Sequence, residues 1–314
     1  MNRLTEIDKR EQSLDNVAGL MIIYMILGHI GLPYIKGCMI VLFFFMPWFF
    51  FKAGMFHRQK KIRETISGGV KRLVIPFLVY SFVGHIIACI GFLFHGDFNP
   101  IHYFLTPIKE ILLSGALTSS MAFWFLLSLF FVRLIYTFVS KYLTPIVILI
   151  VTALFACLLH AYKFCPIVYI ANVTTGCFFY TLGAQLKDRQ YGKCFFICSI
   201  VFYLGIALNG FVFVNMLAND TLVGEYALWF PASLSGIILI NNLFRKVDMS
   251  WTKLYIIGQN SMVFYIWHWV VILVWQTALQ ILGVSVEGSF YYLFAAEIIF
   301  LPIIYRVPFL TKYC

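Results

Sequence analysis

KREQSLDNVAGLMIIYMILGH, residues 9–29, decides what kind of chain this is: charged residues lead directly into an apolar helical run that closes on a histidine. At about 1.5 Å of rise per residue, the step from Asp15 to His29 climbs about 21 Å, most of a hydrocarbon core about 30 Å thick. His29 is therefore expected deep in a membrane. At about 100° per residue Asp15, Ala18, Ile22 and His29 share one stripe, so a molecule lying along it would touch a polar mouth and a buried imidazole.

The rest of the chain has the same character. Of 314 residues 62% are hydrophobic and 11% charged, with a mean hydropathy of +0.90, too little polar surface for a soluble domain of this length. The composition predicts an all-α polytopic integral membrane protein, a single membrane-embedded domain over 1–314, because the loops are too short to hold a second. Spans fall at roughly 17–35, 38–56, 73–94, 121–139, 144–162, 166–186, 194–214, 227–244, 254–280 and 289–306, about ten in all. The half-apolar segment 104–120 is expected at the outer interface. The first apolar run is long enough to stay in the bilayer rather than act as a cleaved signal.

The formal charge of +10 is distributed unevenly. With these spans, 18 of the 23 basic residues collect on one side, which the positive-inside rule makes cytoplasmic, together with both termini. That pattern points to anionic lipid and away from nucleic acid. Cys89, Cys157, Cys177 and Cys198 lie in apolar runs, where sulfur packs as a small hydrophobe, and Cys194 and Cys198 have no further ligand nearby to complete a metal set.

Several polar residues lie where a membrane chain has reason to avoid them. The second span, VLFFFMPWFFFKAGMF (41–56), carries Lys52 near its cytoplasmic end, where it is expected to snorkel to the headgroups, and a Met46–Pro47 step expected to loosen the backbone. The following loop, HRQKKIRETISGGVKRLVIPF (57–77), is the most basic in the chain and brings Arg72 to the mouth of the third span. It suits anionic lipid or a phosphate-bearing ligand equally well. Trp124 is expected at the outer end of the fourth span, Arg133 in its cytoplasmic third, and Glu297 about a third of the way into the last span. Counting from Leu254, His268 rises about 21 Å, level with His29, so the two imidazoles can share a cavity. Histidines in membranes also serve simply as interhelical hydrogen-bonding groups. Asp15, beside Ser13, reads as a helix N-cap as readily as a ligand contact.

In this order the pieces resemble acyltransferase family 3, the multi-pass bacterial enzymes that modify cell-surface glycans. The resemblance rests on Arg10, Leu14, Asp15, Gly19, Gly28 and His29, on FFMPWFFFKAG (44–54), and on KRLVIPF (71–77), WFLLSLFFVRLIY (124–136) and GQNSMVFYIWHWVV (258–271). It implies transfer of an acyl group, acetyl above all, from cytoplasmic acyl-coenzyme A to a hydroxyl of a surface or lipid-linked polysaccharide at the bacterial cytoplasmic membrane. His29 matches the family's catalytic histidine and would act as general base or take the acyl group itself. Tyr265, His268 or Glu297 would orient it, and Arg10, Asp15, Arg72, Arg133 and Trp124 would contact acetyl-coenzyme A. The chain departs from the family pattern in having Ala18 where an Arg or Lys is usual, Phe45 where His is frequent and Ala53 where Ser is frequent. Arg10, Arg72 or Arg133 would then supply the missing cation. The same departures leave a saccharide exporter and a catalytically silent relative as the alternatives.

Overall fold

A computed structural model describes the chain except residues 1, 32–40, 96–98, 163–166, 168, 188–191, 209–225, 285 and 312–314, and, for side chains only, 2–11, 95, 102, 162, 207, 226, 286–288 and 311. Every regular element among the described residues is helical. The helices are α1 (Asn2–Ile30), α2 (Phe45–Met55), α3 (Ile62–Gly69), α4 (Ile75–His95), α5 (Pro100–Ser114), α6 (Trp124–Val139) and α7 (Pro145–Tyr162). They continue with α8 (Tyr169–Leu186), α9 (Lys193–Leu208), α10 (Tyr226–Lys246), α11 (Leu254–Gln259), α12 (Ser261–Ile281), α13 (Val286–Arg306) and α14 (Pro308–Thr311). By length and composition six segments among the described residues can cross a membrane, and Pro145–Ala161 and Lys193–Ile206 are shorter apolar helices.

The surface is what a bilayer requires. Phe82, Phe94, Phe104, Ile108, Val201 and Ile298 are all exposed, while backbone polar groups are satisfied inside helices, the arrangement that survives without water. The interior is aromatic, with Trp48, Phe50, Phe51, Phe123, Phe179 and Trp229 buried. The tightest crossings rely on glycine. A Cβ at Gly19 would overlap the Leu254 carbonyl, and one at Gly258 the Asp15 carbonyl, so α1 and α11 approach backbone to backbone. Gly54 and Gly183 do the same for α2 against α8.

Three expectations about the helices need correction. The helix carrying Asp15 begins at Asn2, so Asp15 lies in a helix interior and is not an N-cap. The second span yields only an 11-residue helix preceded by turns, and Pro47 falls in its first turn, where the missing N–H has no intrahelical partner to lose. Pro47 therefore starts a helix rather than loosening one. The ninth span breaks at Asn260 into α11 and α12. Between α3 and α4 the chain passes through a π-helical stretch, Val70–Val74, that holds Arg72.

Candidate active site

Helices α1 and α12 bring their imidazoles together. The ring centroids of His29 and His268 are 5.3 Å apart, and His29 meets the edge of Trp269 at 5.1 Å. The equal rise counted along two separate helices thus ends at one level. His268 is fully buried; its Nδ1 lies 3.2 Å from the Phe264 carbonyl, and its Nε2 has no partner. With Nδ1–H donating to Phe264, Nε2 carries the lone pair. Trp269 Nε1 donates to the Ser119 carbonyl at 3.0 Å, which fixes the indole beside His29. Tyr265 donates its hydroxyl to the Ala122 carbonyl and not to either histidine.

Beneath this pair lies an apolar cavity of about 230 Å³, with Ile22 and Met25 from α1, Phe49 and Lys52 from α2, and Ser261 and Tyr265 from α12 in its wall. Met25 is one helical turn before His29, and the Tyr265 ring, in that wall, has its centroid 6.1 Å from that of His268, so the cavity adjoins the imidazole pair. Lys52 is the charged residue among its described lining. Its Nζ lies 3.0 Å from Asp15 Oδ1, with side chains 17% and 19% exposed, and 5.7 Å from the Trp48 ring centroid. The expectation that Lys52 snorkels is therefore wrong: the Asp15 carboxylate holds it in the protein.

Phe56 belongs both to that cavity and to a second, larger one of about 490 Å³. The second is basic, with Arg58, Lys60, Lys71, Arg72 and Arg133 in its wall alongside His57 and Glu64. Arg72 and Arg133, distant in sequence, thus face one space. His57 Nδ1 lies 2.9 Å from the Tyr180 hydroxyl and Nε2 3.2 Å from Gln59 Oε1. Burial holds its pKa below the ordinary 6.5; the Gln59 hydrogen bond opposes this, and the nearby Arg133 cation adds to it.

The remaining sequence candidates are placed differently. Trp124 is 4% exposed and packs on Phe50, so it is a core residue and not an interface marker. Glu297 is buried on α13, its carboxylate oxygens without partners, and no contact joins it to His29 among the described residues. Arg10 lies on α1, but its side chain is outside the described residues. Sequence reasoning passed over Trp269, Ser119 and His57. Only Trp269 carried a signal, as the neighbour of His268 in the WHW run.

Paired imidazoles beside an apolar cavity, with a basic pocket beyond it, sit in an all-helical chain with six segments able to cross a membrane among the described residues. A family model described as an acyltransferase domain matches residues 11–306, and the chain belongs to acyltransferase family 3. The comparison with curated proteins found no match, nor did the comparison with solved structures.

Proposed function

We propose that this membrane acyltransferase transfers an acyl group, in the first place acetyl, from cytoplasmic acyl-coenzyme A to a hydroxyl of a surface or lipid-linked glycan in the bacterial inner membrane. The observation that carries this reading is the sequence of basic pocket, apolar cavity and imidazole pair, joined through Phe56 and Tyr265. Acyl-coenzyme A has phosphates at one end and a thioester on a long arm. Its phosphates suit the guanidinium groups of Arg72 and Arg133, and its arm suits the cavity. The positive-inside distribution supports a cytoplasmic basic pocket and about ten spans.

In the reaction the acceptor hydroxyl oxygen attacks the thioester carbonyl carbon while the His29 ring takes the hydroxyl proton. The carbon–sulfur bond then breaks, and the leaving thiolate recovers the proton from the imidazolium, giving ester and free thiol. In a two-step course the His29 nitrogen attacks the thioester and takes the acyl group as the carbon–sulfur bond breaks, then passes it to the hydroxyl oxygen, whose proton goes to the released thiolate. His268 and Trp269 touch the His29 ring and serve as positioning residues. Lys52 supplies the cation that the family pattern otherwise puts at Ala18, since its ammonium is held by Asp15, which lies one helical turn from Ala18 on the same face.

An exporter reading finds less support. A cavity of about 230 Å³ with a mostly apolar wall offers a glycan chain little room and few polar partners. The test is the acetyl content of the host's surface glycan, read by proton NMR, in a strain lacking the gene and complemented with wild type or His29→Ala. Acetyl restored by wild type alone, at equal membrane expression, supports catalysis at His29. Restoration by both removes His29 from catalysis, and a change in glycan amount without a change in acetylation favours export.

A further inference from the structure

A third cavity, of about 450 Å³, lies between α4, α5 and the 3-10 segment Thr118–Phe123, with His85, Phe92, Tyr103, Glu110, Thr118 and Ser119 in its wall. Its lining differs from that of the apolar cavity. One wall is aromatic, Phe92 and Tyr103 packing at 5.0 Å and 38°. The other is polar and is held in shape by its own hydrogen bonds. Glu110 accepts from the Thr118 hydroxyl at 2.6 Å and the Thr118 N–H at 2.8 Å. His85 Nε2 lies 2.8 Å from the Tyr103 carbonyl.

Two features make this more than a surface groove. Ser119 Oγ is buried and has no hydrogen-bond partner, which leaves a donor and acceptor free in a place where an unmade bond is costly. The carbonyl of the same residue accepts from Trp269 Nε1, and the Trp269 ring rests on His29. Ser119 is therefore one residue deep between this cavity and the imidazole pair. A carboxylate offers about four acceptor positions, and Thr118 occupies two, so Glu110 retains capacity for a ligand.

The geometry points to the cavity of His85, Tyr103, Glu110 and Ser119 as the acceptor subsite, which takes a sugar ring with its carbon face on the Phe92 and Tyr103 rings and its hydroxyls on Glu110 and Ser119. This inference rests on the acyltransferase reading for its ligand. It deepens that reading by dividing the molecule: donor through the Phe56 side, acceptor through the Ser119 side, with His29 and Trp269 between. A ring with both a C–H face and a fringe of hydroxyls matches a half-aromatic, half-polar pocket of this size, where an acyl chain would leave the Ser119 hydroxyl unpaired and the spare acceptor positions of Glu110 unused.

The test uses the full chain in lipid nanodiscs and, as probe, an oligosaccharide released from the host's surface glycan and de-acetylated with mild base. Thr106 also lines the cavity, and the rate of maleimide modification of Thr106→Cys, read at that peptide by mass spectrometry, reports access. Ala88→Cys on the opposite wall serves if the first variant does not assemble. The probe is expected to slow modification severalfold. In a Glu110→Gln background about tenfold more probe is needed, the loss of one hydrogen bond to a charged group. Acetyl transfer to the same oligosaccharide is measured in parallel with the wild type. Transfer without protection overturns the subsite and leaves the acyltransferase reading standing. Protection without transfer upholds the subsite and overturns the reaction, and absence of both overturns the two together.

Discussion

The Asp15–Lys52 pair allows structural and chemical roles to be separated by substitution. With Nζ and Oδ1 at 3.0 Å and less than a fifth of either side chain exposed, both charges have lost most of their water. Lys52→Met keeps the stem that lines the cavity and removes the charge, leaving a carboxylate without its partner between α1 and α2. Breaking a buried pair from one side costs about 3–5 kcal/mol, and the residual exposure places this pair near about 3 kcal/mol. Replacing both members by neutral groups of similar size relieves most of that cost. Asp15→Asn/Lys52→Met is thus expected to unfold within about 1 kcal/mol of wild type, far less than the summed losses of the two single variants. Thermal unfolding in nanodiscs, followed by tryptophan fluorescence, measures the cycle. Additive single variants would refute the pairing. The double variant then isolates chemistry: stability returns, but the cavity has lost its cation, so the KM for acetyl-coenzyme A is expected to stay high. A further Ala18→Arg restores a cation on the same stripe and is expected to lower that KM. If the double variant transfers acetyl with wild-type constants, Lys52 is structural only.

Three other outcomes follow from the same geometry. Gly258→Ala adds a methyl against the Asp15 carbonyl; a forced backbone shift of this kind costs about 1–3 kcal/mol, seen as a lower unfolding temperature, whereas Gly192→Ala, which meets open space, should change little. Arg72→Ala with Arg133→Ala removes two cations from the basic pocket and should raise the KM for acetyl-coenzyme A while leaving that for the dephosphorylated acetyl-pantetheine unchanged; equal loss for both donors would contradict phosphate recognition. Burial lowers the His57 pKa in the folded chain, so as pH falls the unfolded chain takes up its proton first. Stability contributed here is complete above pH 6.5 and declines as pH falls through the lowered folded value. The unfolding temperature of His57→Gln should accordingly fall less steeply than that of wild type below pH 6.5, and parallel curves would argue against a buried neutral ring.

What the sequence disclosed and what it withheld divide along a physical line. A bilayer imposes one-dimensional rules, so hydropathy reveals a helical membrane chain, and rise per residue is enough to put His29 and His268 at one height. Burial of a particular side chain depends instead on which helix lies opposite. Asp15 looks like a cap because Ser13 and the charged residues before it resemble a helix start, yet the helix continues upstream to Asn2. Lys52 looks like a snorkelling residue because its height alone suits the headgroups; the carboxylate that holds it comes from 37 positions earlier in the chain. Trp124 illustrates the same limit, with the height of an interface tryptophan but Phe50 against its ring. These residues share a consequence for the site. Lys52, which height arguments assign to the membrane edge, is instead held by Asp15 in the wall of the apolar cavity, where an ammonium neutralised by a carboxylate can still donate hydrogen bonds. A fully hydrated lysine would have no reason to face an acyl carrier's carbonyl groups, whereas one already stripped of water by Asp15 and Trp48 has donors to satisfy. The cavity therefore combines an apolar wall with a single oriented cation, a combination available because α1, α2, α6 and α12 converge around it.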